Sequence, residues 1–181
     1  MQLESEWRKP NEWCDHTHHW HAEDDQATEE EVIELVAAFV RALQPEVAVE
    51  CGTWTGTCTQ AMGQALKRNG HGTLYAVELD VNMAQRAADR CRDLPVTVIH
   101  GSSTAWTPPA GIGFAWVDGA TDRMAELEYL LPHMAPGAII GVHDTGPLHV
   151  SGRKDALDAH PRLRVITLRT PRGVSLAEII S

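Results

Sequence analysis

The chain of 181 residues has little that would tie it to a membrane, a nucleic acid or an oxidising compartment. No apolar run is long enough to cross a bilayer, and the polar stretch 1–21 has no apolar core of a signal peptide. A cytoplasmic protein with no membrane partner is expected. Basic residues are scarce: 15 Lys and Arg stand against 25 Asp and Glu, for a net charge of −10, with no basic run. A nucleic-acid partner is therefore not expected, because phosphates need a basic face to meet. Cysteine is sparse too. Cys14, Cys51, Cys58 and Cys91 form no CxxC pair, which argues against a disulfide framework or a cysteine zinc site. The G-x-G-x-x-G of dinucleotide folds is absent, as are internal repeats and low-complexity segments.

What remains is one domain's worth of alternating apolar patterns, 43% hydrophobic overall. Thr28 opens a helix to about Leu43, with Glu31 at the reciprocal capping-box position and Val32, Leu35, Val36 and Phe39 on one face. Strands are expected at 46–50, 73–78, 96–100, 112–117 and 138–142, with helices at 57–68, 82–93, 122–134 and 154–159 between or after them. Two last strands, 163–168 and 174–180, are joined by the turn Pro171-Arg172-Gly173, too short for a crossover helix. The fold class is α/β: a Rossmann-like, doubly wound, mainly parallel seven-stranded sheet with a C-terminal antiparallel hairpin. Residues 28–181 form this domain, and residues 1–27 form an N-terminal arm or lid.

Ligands in such sheets bind beyond the carboxyl ends of the strands. After the first strand comes Glu50-Cys51-Gly52-Thr53-Trp54-Thr55-Gly56, where Gly52 permits a tight turn and close ligand approach. The spacing E-x-G-x-x-x-G suits a ligand with an amino-acid end and no pyrophosphate. Glu78 ends the second strand, 26 positions after Gly52, where an acid can accept both hydroxyls of a ribose; Asp80 better suits a helix cap. Ser102 and Ser103, after the third strand, could meet an adenine edge or form a plain turn. Asp118 and His143-Asp144-Thr145 end strands expected to be neighbours. Two converging carboxylates need a cation or a proton between them. Oxygen donors from Asp118, Asp144 and Thr145 suit Mg²⁺ or Ca²⁺, whereas His143 would favour a softer metal.

The ordered set of motifs resembles the class I S-adenosylmethionine-dependent methyltransferases, in particular the small branch containing catechol and caffeoyl-coenzyme A O-methyltransferases. The resemblance rests on 49–58, on Asp118-Gly119 and on 136–145, and spans roughly 28–181. It implies methyl transfer from S-adenosylmethionine to an oxygen of a small molecule, with divalent-metal assistance as an option. Glu50, Gly52, Thr53, Trp54 and Gly56 would hold the methionine part of the cofactor, Glu78 the ribose, Ser102 and Ser103 the adenine, and Asp118 would border it. Asp118, Asp144 and Thr145 would be the metal ligands, although that branch usually has Asn where Thr145 stands. Its Lys, three places after the first acid, is Thr121 here. Asp118 and His143 are then the catalytic candidates, His143 serving either as base or as a structural histidine.

The branch's substrate-binding insertion is short or absent, so the arm or a second subunit of a homodimer would have to meet the acceptor. The arm carries Trp7, Trp13 and Trp20 with His16, His18, His19 and His21. Its histidines have no metal-site spacing and read as solvated, while its tryptophans suggest packing on the cofactor mouth or a neighbour. A nicotinamide-dependent dehydrogenase, and a degenerate methyltransferase fold acting only as a binding module, are the alternatives.

Overall fold

A computed structural model of the protein describes residues 6–120, 122–148 and 152–180. The elements run α1 (Glu30–Leu43), β1 (Val47–Cys51), α2 (Thr57–Asn69), β2 (Thr73–Glu78), α3 (Val81–Arg90), β3 (Val96–His100) and β4 (Ile112–Val117). They continue with α4 (Arg123–Leu130), β5 (Met134–His143), α5 (Arg153–Asp158), β6 (Leu163–Leu168) and β7 (Val174–Ile179). The seven strands form one sheet in the order β3-β2-β1-β4-β5-β7-β6. Pairing is parallel from β3 to β5, and β7 is antiparallel to both β5 and β6. This is the architecture expected from the sequence.

Winding reverses between β1 and β4. The chain steps outward from β1 to β2 and β3, then returns to start β4 on the other side of β1. Crossovers to opposite faces leave a crevice beyond the carboxyl ends of β1 and β4. Both sheet faces are sealed by apolar side chains. On one, Val32, Val36 and Val40 of α1 and Met62 and Leu66 of α2 pack on Ala48, Leu74, Phe114 and Trp116. On the other, Leu127, Leu130 and Leu157 pack on Val49, Ile112, Val117 and Ile140. Phe114 and Trp116 are wholly buried. Each such side chain contributes roughly 1.5–3 kcal/mol, which anchors β4 as the sheet's central strand.

Three local expectations are corrected. First, Thr28 and Glu31 do not form a capping box: Glu29 is the N-cap of α1 and makes no side-chain cap bond. Glu31 instead accepts from the His21 backbone N–H and ring. Second, α4 stops at Leu130, and a single 3₁₀ turn over Leu131–His133 carries Pro132, which cannot donate into a continuing helix. Third, β5 starts early, at Met134, because the β4–β5 register shifts between Ile112 and Phe114 and the surplus residues bulge out around Pro136 and Gly137.

From residue 6 on the arm is folded, with His16, His18, His19 and His21 exposed as expected and Trp7 packed inward. Trp7 is buried and its indole donates to the Asp25 carbonyl at 3.3 Å. Thr17 donates to the Arg8 carbonyl at 2.6 Å, and Asn11 Nδ2 reaches the Pro171 carbonyl at 3.0 Å. The arm thereby runs across the crevice to the β6–β7 hairpin. Its histidines do not gather into a metal-binding group among the described residues.

Candidate active site

A cleft of about 770 Å³ lies at the topological switch point, lined by the turn after β1, by Glu78 and Asp80, by Asp118, Arg123, Asp144 and Arg172, by Thr28, and by arm residues including Trp7 and Ala27. The turn after β1 is tight. Gly52 has φ +85°, and a Cβ there would lie 2.5 Å from the Asp118 carbonyl oxygen and 2.7 Å from Gly119 Cα. Only glycine fits, and β1 can therefore press against the end of β4. Gly56 is the left-handed N-cap of α2.

Glu78 ties this turn to β2. Its Oε2 accepts from the backbone N–H groups of Thr53 and Trp54, both at 2.9 Å, and its Oε1 accepts from Asp80 N at 2.9 Å. A carboxylate has about four acceptor sites, so Glu78 can still take a hydroxyl from the cleft. Asp80 caps α3 by accepting from Asn82 N and Met83 N, the role expected for it. Ser102 and Ser103 border a smaller recess beside Glu78, Gly101 and Gly119. The Ser103 hydroxyl donates to Glu126, a buried α4 carboxylate in the same recess.

Glu50 is the anomaly. It is fully buried behind Gly52 and Cys58, and neither carboxylate oxygen has a hydrogen bond of normal geometry. Burial, with Asp118 and Glu78 adding their negative fields, pushes its pKa up to about 8. The Thr59 hydroxyl and the Cys58 thiol face it and offset part of that rise, and an approaching cation would favour its charged form further.

Beyond β4 and β5 a second constellation assembles. One donor atom each from Asp118, His143 and Asp144 lie within 4.8 Å of one another, as the sequence pattern suggested. Protein groups surround them. Arg123 Nη2 donates to Asp118 Oδ1 at 2.7 Å and to Asp144 Oδ2 at 2.6 Å. Arg172 donates through Nε to Asp144 Oδ1 at 2.7 Å and through Nη2 to Asp144 Oδ2 at 3.1 Å. Asp118 Oδ2 accepts from the Thr28 hydroxyl at 2.8 Å and lies 3.1 Å from His143 Nδ1. The Thr145 hydroxyl accepts from Ser175 at 3.0 Å.

His143 is wholly buried, with Nε2 2.8 Å from Glu29 Oε2. Burial disfavours its charge, but Asp118, Glu29 and Asp144 outweigh that and raise its pKa to about 10. The ring is thus a cation wedged between carboxylates and holds its protons at neutral pH. The cationic neighbours hold the Asp118 carboxyl far below the usual range, and that of Asp144 below it as well.

The arm braces the turn from outside. Asp24 accepts from the Trp54 indole at 2.9 Å, and Trp54 itself has φ +47°. Glu23 accepts from Thr55 at 2.8 Å and from both terminal nitrogens of Arg90 at 3.0 and 3.1 Å. Of the expected cofactor residues, Gly52, Thr53, Trp54, Glu78 and Asp118 line the cleft and Ser102 and Ser103 the smaller recess, while Glu50 and Gly56 line neither; the structure adds Glu29, Arg123, Glu126 and Arg172, which the sequence reading missed. The need for a cation between Asp118 and Asp144 was the available signal; the basic residues at 123 and 172 could have answered it. Thr121 lies outside the described residues.

A family described as "Methyltransferase domain" matches residues 49–145. Among solved structures, the O-methyltransferase TomG from Streptomyces achromogenes in complex with SAM is 19% identical at TM-score 0.70, covering 87% of this chain and 83% of its own. The O-methyltransferase from Bacillus cereus in complex with SAH is 16% identical at TM-score 0.74, covering 86% and 84%. An SAH-bound methyltransferase from Podospora anserina is 15% identical at TM-score 0.73, covering 87% and 81%. At these identities the likeness is one of fold. No curated protein sequence matches the chain.

Proposed function

Because the chain belongs to the methyltransferase domain family, we propose that it moves the methyl group of S-adenosylmethionine to an oxygen of a small molecule. The observation that carries this reading is Glu50. Its neighbours Gly52 and Cys58 line the cleft, so a cofactor with an ammonium and a sulfonium would bring positive charge toward this buried acid. Contact can be direct or through one ordered water. Two of the structures of similar fold named above hold SAH and one holds SAM, and two are O-methyltransferases, which supports the same reading.

Gly52, Thr53, Trp54 and Gly56 would hold the methionine part, with Asp118 alongside. Glu78 would take ribose hydroxyls, and the recess of Ser102 and Ser103 would take the adenine, with Glu126 beside it. Bound S-adenosylmethionine supplies an electrophilic methyl on sulfur. The protein's part is to align an acceptor oxygen and exclude water, and such alignment can supply about 7–11 kcal/mol of a barrier. Trp7 of the arm and Thr28, just after it, line the cleft, which supports the arm as a substrate contact. His143 is a positioning residue in this reading, not the base: it is buried, protonated and absent from the cleft lining.

Mg²⁺ does not fit the residues as they stand. The carboxylate oxygens of Asp118 and Asp144 already accept from Arg123, Arg172 and Thr28, and the Thr145 hydroxyl is held by Ser175.

The test is transfer of tritium from methyl-labelled S-adenosylmethionine to a panel of phenols, sugars and carboxylates. Label in an extractable product, lost in a Glu78→Ala variant, is expected. Strong base then separates ethers, which keep the label, from esters, which release it as methanol. A folded protein that binds S-adenosylmethionine yet labels nothing in the panel would favour a binding module.

A further inference from the structure

We infer that Arg123 is a built-in counter-cation: its guanidinium occupies the position between Asp118 and Asp144 that a divalent ion would take, so the site works without a metal. The inference deepens the proposed function, since it concerns how the acceptor end of that site is held together.

Three arginines from three separate loops converge on Asp144. Arg123 opens α4, Arg172 sits in the β6–β7 hairpin, and Arg153 opens α5. Arg123 and Arg172 bond its carboxylate, and Arg153 Nη1 donates to its carbonyl at 2.5 Å. Asp144 is itself in the left-handed region, with φ +57°, a conformation kept only where surrounding bonds over-determine it. Thr145 N and Gly146 N supply two more, to the Gly173 and Arg172 carbonyls at 3.2 and 2.8 Å.

Charge completes the case. Asp118 and Asp144 supply two negative charges, and Arg123 and Arg172, bonded to them, supply two positive ones. A divalent ion added to this balanced set would leave an excess of positive charge at short range. Arg123 reaches both carboxylates through one nitrogen, as a bridging ion would, and it is anchored by its place on α4, just after the Asp122 cap. A guanidinium cannot be lost by dilution or chelation, so the two carboxylates stay fixed with or without ligand.

The inference is tested on the full chain without any acceptor. With 1 mM Mn²⁺, the wild type is expected to leave the free-ion electron paramagnetic resonance signal undiminished. A stoichiometric loss of that signal, abolished by Asp118→Asn, would overturn the inference. In Arg123→Met the carboxylates face each other without their bridge. Its melting temperature is expected to fall by roughly 10 °C, and 5 mM Mg²⁺ is expected to restore about 3 °C or more in the variant and nothing in the wild type. A folded Arg123→Met that ignores Mg²⁺ would overturn the inference. If Arg123→Met does not fold, the wild-type Mn²⁺ measurement decides alone. Binding of S-adenosylhomocysteine, measured separately, tests the methyltransferase reading; its failure would leave the Mn²⁺ result standing as a property of the site.

Discussion

The Thr28 hydroxyl donates to Asp118 Oδ2 at 2.8 Å, across 90 positions of sequence. This bond explains why Thr28 does not cap α1: its side chain is spent on the floor of the cleft. The next residue does likewise, since Glu29 sends its carboxylate to His143. The arm is thus stitched into the site at its C-terminal end by two side chains, and at Asp24 and Glu23 by two more. The physical consequence is that the cleft and the arm form one bonded unit.

Asp24→Ala is the direct probe of that unit. It removes the acceptor of the Trp54 indole and also the acceptor of the Gln26 and Ala27 N–H groups. Trp54, held at a positive φ costing roughly 1–3 kcal/mol, then has less reason to stay there. S-adenosylhomocysteine affinity is expected to fall about tenfold, or ~1.4 kcal/mol, by calorimetry. Unchanged affinity would show that the arm does not brace the turn.

Gly52→Ala tests the close approach of β1 to β4. The new methyl would meet backbone atoms of Asp118 and Gly119, which cannot swing aside, at a φ that alanine avoids. A loss of roughly 3 kcal/mol or more in urea denaturation is expected, together with loss of cofactor binding. A stable variant with full affinity would mean that the turn is not pressed on β4 as described.

Glu50 sets a pH dependence whose sign is fixed by its raised pKa. The folded state holds a proton on Glu50 up to about pH 8, and the unfolded chain gives it up near 4.5. Folded protein therefore binds more protons between these values, and Glu50 erodes stability as pH rises through that window, by an amount on the order of 3–5 kcal/mol. Glu50→Gln cannot ionise. At pH 9 without ligand it is expected to melt ~5 °C above the wild type, while its affinity for S-adenosylhomocysteine drops roughly 30-fold. A variant less stable than the wild type at pH 9 would contradict the raised pKa of this buried acid.

Much of this was legible in the sequence. Alternating strand and helix patterns, with two terminal strands too close for a crossover, led to the sheet order class and the antiparallel end. The strand-end residues Glu50, Gly52, Glu78 and Asp118 could be placed because a parallel sheet delivers every carboxyl end to one edge. Arg123 and Arg172 were not legible in the same way. Their partners lie 5, 21 and 28 positions away, across a fold whose register no local pattern reports. The converging acids announced that positive charge was needed but not whether a metal or a side chain would supply it. His143 could be read as base or as structural histidine, and its burial against Glu29 and Asp118, which raise its pKa, favours the structural role. The capping box failed because the Thr28 hydroxyl bonds Asp118 and the Glu31 carboxylate bonds His21 instead.

The central claim is that the cleft binds S-adenosylmethionine with its positive charge near Glu50. Calorimetric titration of S-adenosylmethionine into the full chain at pH 7, repeated in buffers of different ionisation enthalpy, tests it most directly. A cation close to Glu50 lowers its pKa, so micromolar binding accompanied by release of up to about one proton is the expected result. Absence of binding by the folded protein, or binding with no dependence on buffer, would contradict it.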